Sequence, residues 1–244
     1  MSVILNIETS SRICSVALCI DGMPEFHIES DESMQHAALL GQYVDKALED
    51  LSRRELKLDA VAVSIGPGSY TGLRIGLSLA KGLCFAKDIP LIGLSTLEIL
   101  TVKAMFAMHD SEGGEIVVPL IDARRMEVYT AAYSLDLKPV IEPQPMILDE
   151  NSFAELRNYR RVVFLGDGVD KAKEGLNADN FEFLSSKMPL ALDMGALSER
   201  AFRNSDFMDP AYGVPLYLKE YQATIAKNKV IPNGTRRYTD KEQV

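Results

Sequence analysis

The chain has 244 residues, too long for one minimal domain and long enough for two units that each bury a core. Its 26 basic and 35 acidic side chains leave a formal charge of −9, which repels phosphate backbones at long range and disfavours a dominant nucleic-acid grip by this chain alone. Cysteine and histidine are too scattered for a self-sufficient metal site: Cys14 and Cys19 lie five apart on a strand pattern and face opposite ways, and His27, His36 and His109 include no pair at helical spacing.

The opening stretch MSVILNIETSSRICSVAL has no basic leader, and Glu8 and Arg12 interrupt its apolar run, which predicts a cytoplasmic protein with no membrane association. VILNIE (3–8), CSVALCI (14–20) and EFHIE (25–29) predict a three-strand meander turned at TSSR and DGMP. Over 34–51, Leu40, Val44, Ala47, Leu48 and Leu51 recur at helical spacing, with Asp31 or Ser33 as the cap. DAVAVSIG (59–66) reads as a buried strand, a glycine-rich helix follows over about 71–87, and PLIGLS opens a strand–helix pair ending near Met108. The order is βββαβαβα.

The second half runs through the same order more raggedly. In EIVVPLIDARRMEVYTAAY (115–133) an apolar strand ends in an acid, turns through arginines and returns as a strand, so Glu8 and Asp122 occupy equivalent strand ends. RVVFLGDGVD (161–170) mirrors AVAVSIGPGS, FEFL (181–184) follows, and DMGALSERAFRNS (193–205) reads as the last helix. These limits divide the chain into a first lobe over 1–108, a second over 109–220 and a polar, flexible tail over 221–244. A duplicated βββαβαβα unit resembles the actin-like, sugar-kinase-like superfamily of α/β folds (ribonuclease H-like), in which an acid at each first-strand end faces a cleft between two lobes.

GPGSYTGLRIG (66–76) poses the functional question. Gly66, Gly68 and Ser69 would bring amides to a phosphate at a helix N-terminus, Ser10 and Ser11 with Gly166 and Gly168 offer further amides, and Glu8 and Asp122 could hold Mg²⁺ through water. Arg124, beside Arg125 at the second turn, either binds an anion or pairs with a carboxylate. Against a nucleotide, Ser10, Ser11 and Arg12 fill the first loop, where a glycine would let the backbone approach a phosphate. The other reading of Glu8 and Asp122 is a strand-end carboxylate that accepts turn amides. Gly72 and Gly76 lie four apart on one helical face, and each costs about 1 kcal/mol relative to alanine. Such a bare strip either admits a partner's backbone or packs on the chain's own sheet, and both readings stand. Tyr70, Thr71, Leu73 and Leu79, with His36 and Leu40 of the preceding helix, complete the candidate partner surface.

NIETSSRICSVAL, GPGSYTGLRIG, GLSTLEIL, IDARRMEVY and GDG, in this order, resemble the bacterial TsaB (YeaZ) family over nearly all of 1–220. The resemblance implies a non-catalytic subunit of the machinery that forms N6-threonylcarbamoyladenosine at position 37 of tRNAs reading codons that begin with A. It implies the paralogue TsaD as the partner that holds the metal and makes the transfer, and TsaE as the associated ATPase. It also implies contacts through first-lobe helices with TsaD or a second copy, tRNA reached only through the complex, and no cofactor of this chain's own. In the catalytic paralogue the stretch resembling GLSTLEIL carries His-x-x-x-His; here those positions are Thr96 and Leu100, and leucine cannot ligate a metal. An actin-like-fold small-molecule kinase or ATPase is the alternative, opposed by the serine-filled first loop. A glycoprotease-like peptidase is a third reading, opposed by the missing histidine pair.

Overall fold

In a computed structural model, residues 1–31, 36–108, 111–185 and 188–219 are described. His109, the candidate cap Ser33 and the expected tail over 221–244 lie outside them. The first half gives β1 (Val3–Glu8), β2 (Cys14–Ile20), β3 (Met23–Ser30), α1 (His36–Arg53), β4 (Ala60–Gly66), α2 (Tyr70–Lys87), β5 (Leu91–Ser95) and α3 (Thr96–Ala107). The second gives β6 (Glu115–Asp122), β7 (Glu127–Ser134), β8 (Pro139–Ile147), a 3-10 turn (Ala154–Asn158), β9 (Arg161–Leu165), α4 (Val169–Gly175), β10 (Phe181–Phe183), a 3-10 turn (Ala191–Met194) and α5 (Gly195–Arg203).

Both sheets have five strands, ordered β3-β2-β1-β4-β5 and β10-β9-β6-β7-β8. With β6 to β10 taken as counterparts of β1 to β5, the two orders are the same. In each, an antiparallel meander precedes a parallel crossover. The fold is therefore the duplicated, two-lobed α/β arrangement that the sequence pattern predicts. The second copy is shortened: where α1 stands in the first, only the 3-10 turn Ala154–Asn158 stands in the second, entered through Phe153 at φ 61°.

The burial pattern follows from chain chemistry. β1 is buried on both faces and correspondingly reads as a nearly unbroken apolar run. On α1, Leu40, Tyr43, Val44, Ala47 and Leu51 form the buried stripe while Gln42, Asp45, Lys46 and Glu49 face solvent. α3 lacks such a stripe because both its faces are covered. Ile99 and Val102 pack with the first sheet's Ile4, Ala62 and Ile92, and Leu97, Leu100 and Ala104 pack with the second sheet's Val117, Ile121 and Val163.

The strands of the first sheet all precede residue 108 and those of the second all follow it, but the last helix does not stay with the second sheet. Met194, Leu197 and Ala201 join the cluster of Ile4, Ala17 and Ile92 on the first sheet. The Ala191 amide donates to Ser15 Oγ at 2.9 Å, and a Cβ on Gly195 would overlap the Gly22 carbonyl. The segment from Ala191 onward, which the sequence pattern assigns to the second lobe, returns to complete the first.

Candidate functional site

An open cleft of about 1130 Å³ is lined from both sheets. Ser10, Ser11, Gly68, Ser69, Asp122 and Arg124 line it, together with Thr96 and Leu100. Glu8, Gly66, Gly166 and Gly168 do not line it, and three of these four are fixed by close contacts within their own lobe.

The first loop is closed on itself. Glu8 is fully buried at the end of β1, and its Oε1 accepts the Ser10 amide at 2.5 Å, while Oε2 has no partner among the described residues. Burial pushes this carboxyl up from 4.5 to about 7; Ser10 and Ser64 offset part of the rise and the charge of Asp193 adds to it. The Ser69 amide donates to the Ser10 carbonyl at 2.6 Å, and the Gly72 amide donates to Ser69 Oγ at 3.2 Å. Ile13 donates its amide to Ser11 Oγ at 3.1 Å, and His36 Nε2 lies 3.0 Å from the Ser11 carbonyl. The amides of Ser10, Ser69 and Gly72, which a phosphate would need, are thus spent within the two loops.

The glycines explain how the loops come so close. A Cβ on Gly68 would sit 2.5 Å from the Ser10 carbonyl oxygen, and one on Gly72 would overlap the Thr9 carbonyl. Thr9 Oγ1 donates to the Gly72 carbonyl at 2.9 Å and lies against Gly76. Gly72 and Gly76 are both buried, so the strip faces the chain's own turn after β1 and is not a surface for a partner's backbone. Leu40 and Leu73, each 1% exposed, are likewise core residues of this chain. Of the candidate partner surface, Thr71 is exposed and Tyr70 and Leu79 are half-buried.

At the second strand end the same plan gives an open result. Asp122 is exposed, its Oδ1 accepts the Arg124 amide and Lys171 Nζ, each at 2.6 Å, and its own amide donates to Asp167 Oδ1 at 2.8 Å. Burial pushes the Asp167 carboxyl above its usual range, and the Asp122 charge adds to the rise. Arg124 and Arg125 take left-handed backbone conformations, φ 72° and 52°, which turn both side chains out toward solvent. Gly166, at φ 111°, lies so close to the Leu120 carbonyl that a Cβ would overlap it, and the Gly168 amide donates to that same carbonyl at 3.0 Å. Gly166 and Gly168 are therefore fastened to β6, and of the Gly-Asp-Gly turn it is Asp167 that lines the cleft.

Thr96 is buried at the start of α3, and Leu100 belongs to the apolar layer between α3 and the second sheet. No group of three or more metal-ligating side chains is present among the described residues. None of their helices is long and apolar enough to cross a membrane. Sequence reading missed the solvent-facing glycines: Gly41 on α1 and Gly82 on α2 are exposed, and a Cβ on either would meet nothing within 4 Å among the described residues. Phe85, also on α2, is 88% exposed. The signal was present in the helical period, which places Ser78, Gly82 and Phe85 on the face opposite Leu73, Leu77, Ala80 and Cys84.

The family model described as TsaD, tRNA N6-adenosine threonylcarbamoyltransferase, matches residues 30–227. The chain is 37% identical over 225 residues to the tRNA threonylcarbamoyladenosine biosynthesis protein TsaB of Escherichia coli, covering 88% of this chain and 94% of that one. With the protein of the same name from Haemophilus influenzae it is 37% identical over 126 residues, and there the match spans about half of each chain, 52% and 51%. The solved structure of YeaZ from Pseudomonas aeruginosa superposes with a TM-score of 0.75 at 27% identity, over 89% of this chain and 100% of that chain.

Proposed function

We infer a role from one premise: the chain belongs to the tRNA N6-adenosine threonylcarbamoyltransferase family, beside the relatives named TsaB. It is a TsaB-type subunit of tRNA threonylcarbamoyladenosine biosynthesis. In this reading it acts in the cytoplasm and makes no transfer itself. It supports a catalytic TsaD partner, with TsaE as the accessory ATPase, and meets tRNA only within that assembly. The observation that carries the non-catalytic reading is the state of the cleft loops, where the amides of Ser10, Ser69 and Gly72 bond to the chain's own oxygens. Leu100, buried in apolar surroundings at a position where the catalytic paralogue has a metal-binding histidine, supports it further.

The partner surface in this reading is the solvent face of α1 and α2. Ala37, Ala38 and Gly41 on the first helix and Ser78 and Gly82 on the second are small and exposed, with Phe85 standing out beside them. A helix-interior glycine costs about 1 kcal/mol relative to alanine, and among the described residues a Cβ on Gly41 or Gly82 would meet nothing that could offset it. A close-packed partner helix would compensate.

The test is reconstitution. The purified chain alone is expected to modify no tRNA, and to restore modification when added to TsaD, TsaE, tRNA and the enzyme that makes threonylcarbamoyl-adenylate. Gly82→Leu should melt no lower than the parent, because leucine is the better helix former at an exposed site. It should also lose co-elution with TsaD. Turnover by the chain alone would overturn the non-catalytic role, and undiminished co-elution of Gly82→Leu would remove this face from the assembly.

A further inference from the structure

The chain beyond α5 follows the edge of the first sheet and then crosses the mouth of the cleft. The Met208 amide donates to the Leu91 carbonyl at 2.8 Å, and Lys81 Nζ on α2 donates to the Ala211 carbonyl at 3.2 Å. The Leu216 amide donates to the Ile65 carbonyl at 2.7 Å, at the end of β4. The Tyr217 ring lies 5.1 Å from that of Tyr70, and its hydroxyl accepts from Arg74 Nε at 3.0 Å. Arg74 in turn sits 3.9 Å over the Tyr70 ring. Leu218 then enters the apolar layer between α3 and the second sheet, and Lys219 Nζ reaches both carboxylate oxygens of Glu127 on β7, at 2.9 and 2.7 Å.

We propose that Leu216–Lys219 is a latch that ties the two lobes across the cleft mouth and sets its aperture. One end is a backbone bond to β4 and the tyrosine pair on α2; the other is the Lys219–Glu127 ion pair on β7, with the partly buried Leu218 beside it in the apolar layer. Three residue steps extend to at most about 11 Å, so the lobes cannot part at this edge unless one anchor lets go. The ends are unequal. The ion pair is 39% and 20% exposed, so salt screens it and leaves the second-lobe end to the single partly buried Leu218 side chain, whereas the aromatic pair and the Leu216 hydrogen bond that hold the first-lobe end are insensitive to salt. The latch therefore swings off the second lobe while staying docked on the first, and a ligand entering between the Ser10–Arg12 loop and the Asp122–Arg125 turn does so in that open state.

The test uses the full chain without any partner, so its outcome is independent of the inferred role in tRNA modification. Cys14, Cys19 and Cys84 are 2%, 1% and 2% exposed, so spin labels attach selectively to Asp45→Cys on α1 and Glu174→Cys on α4, both exposed positions. Pulsed electron paramagnetic resonance should give one narrow distance distribution for the parent at low salt. Lys219→Ala should add a longer-distance population, as should high salt in the parent, and the two should not add further. In Tyr217→Ala the Leu216 amide should exchange roughly 2- to 13-fold faster, the loss of one aromatic pair. A normally melting Lys219→Ala chain with the parent's narrow distribution at every salt concentration would overturn the latch. Should Tyr217→Ala fail to fold, Lys219→Ala decides alone, because it removes only a surface ammonium.

Discussion

Glu8 and Asp122 close the first strands of two halves built in the same strand order, and their surroundings are opposite. Glu8 is sealed under a loop that folds back on α2, and it holds its proton toward neutral pH. Asp122 stands in solvent beside the cleft, paired with Lys171 and holding the amide of Arg124. The difference lies in the turn that leaves each strand. After β1, Thr9 and Ser10 press onto Gly68, Gly72 and Gly76, and water is excluded; after β6, two arginines in left-handed conformations carry the chain outward. A duplicated backbone thus specifies where an acid stands, while the neighbouring loop decides whether that acid is core or surface.

The largest expected effects lie at the glycines that maintain the contrast. Gly72→Ala forces a methyl onto the Thr9 carbonyl, and Gly166→Ala forces one onto the Leu120 carbonyl at a φ that alanine avoids. Overpacking against rigid backbone should cost about 3 kcal/mol in each half, a fall of roughly 6–12 °C in melting temperature for a chain of this size. A change within about 2 °C on either side, well below that scale, would show that the turn relaxes and that the packing described for that half is not rigid.

Next is the buried acid. Between the ordinary value of 4.5 and about 7 the folded chain binds the Glu8 proton more tightly than the unfolded chain does. Stability therefore falls as pH rises through that window, and the loss, on the order of 3 kcal/mol, is complete above it. Glu8→Gln cannot ionise, so melting temperatures of variant and parent should diverge in the variant's favour as pH rises through the window. Parallel curves would mean that Glu8 is not desolvated. The smallest effect belongs to Asp122→Asn, which removes one partner of a half-exposed ion pair and should cost under about 1 kcal/mol by denaturant unfolding. A larger loss would make the two strand ends alike after all.

Much of this was legible in residue order. The strands at 3–8 and 14–20 stand at their predicted limits, and the acid-ended strands at Glu8 and Asp122 are equivalent in the sheets. β8 carried no readable signal: Pro139, Pro143 and Pro145 suppress a strand pattern, and they are tolerated because β8 is an edge strand. The cleft residues could be named from their motifs, but hydrogen-bond partners could not. Whether the Ser69 amide meets a phosphate or the Ser10 carbonyl depends on a separation of loops that are distant in sequence. Gly72 and Gly76 form a strip with two candidate occupants, and helical spacing cannot tell a turn of the same chain from a partner helix. Nor does any local pattern show that residues after 190 return to the first sheet.

That return has a consequence for how the chain is made. Ser2 Oγ donates to Glu199, 197 residues away, and the Gly22 turn is packed by Gly195. At ribosomal speeds of about 5–20 residues per second, the first sheet, complete at Ser95, waits roughly 5–20 s for the segment that covers Ile4 and Ala17 to be synthesised. The half that emerges first is therefore the half that is finished last, and a nascent chain stalled before Ala191 would expose a bare face of its own central sheet to the chaperones of the cell.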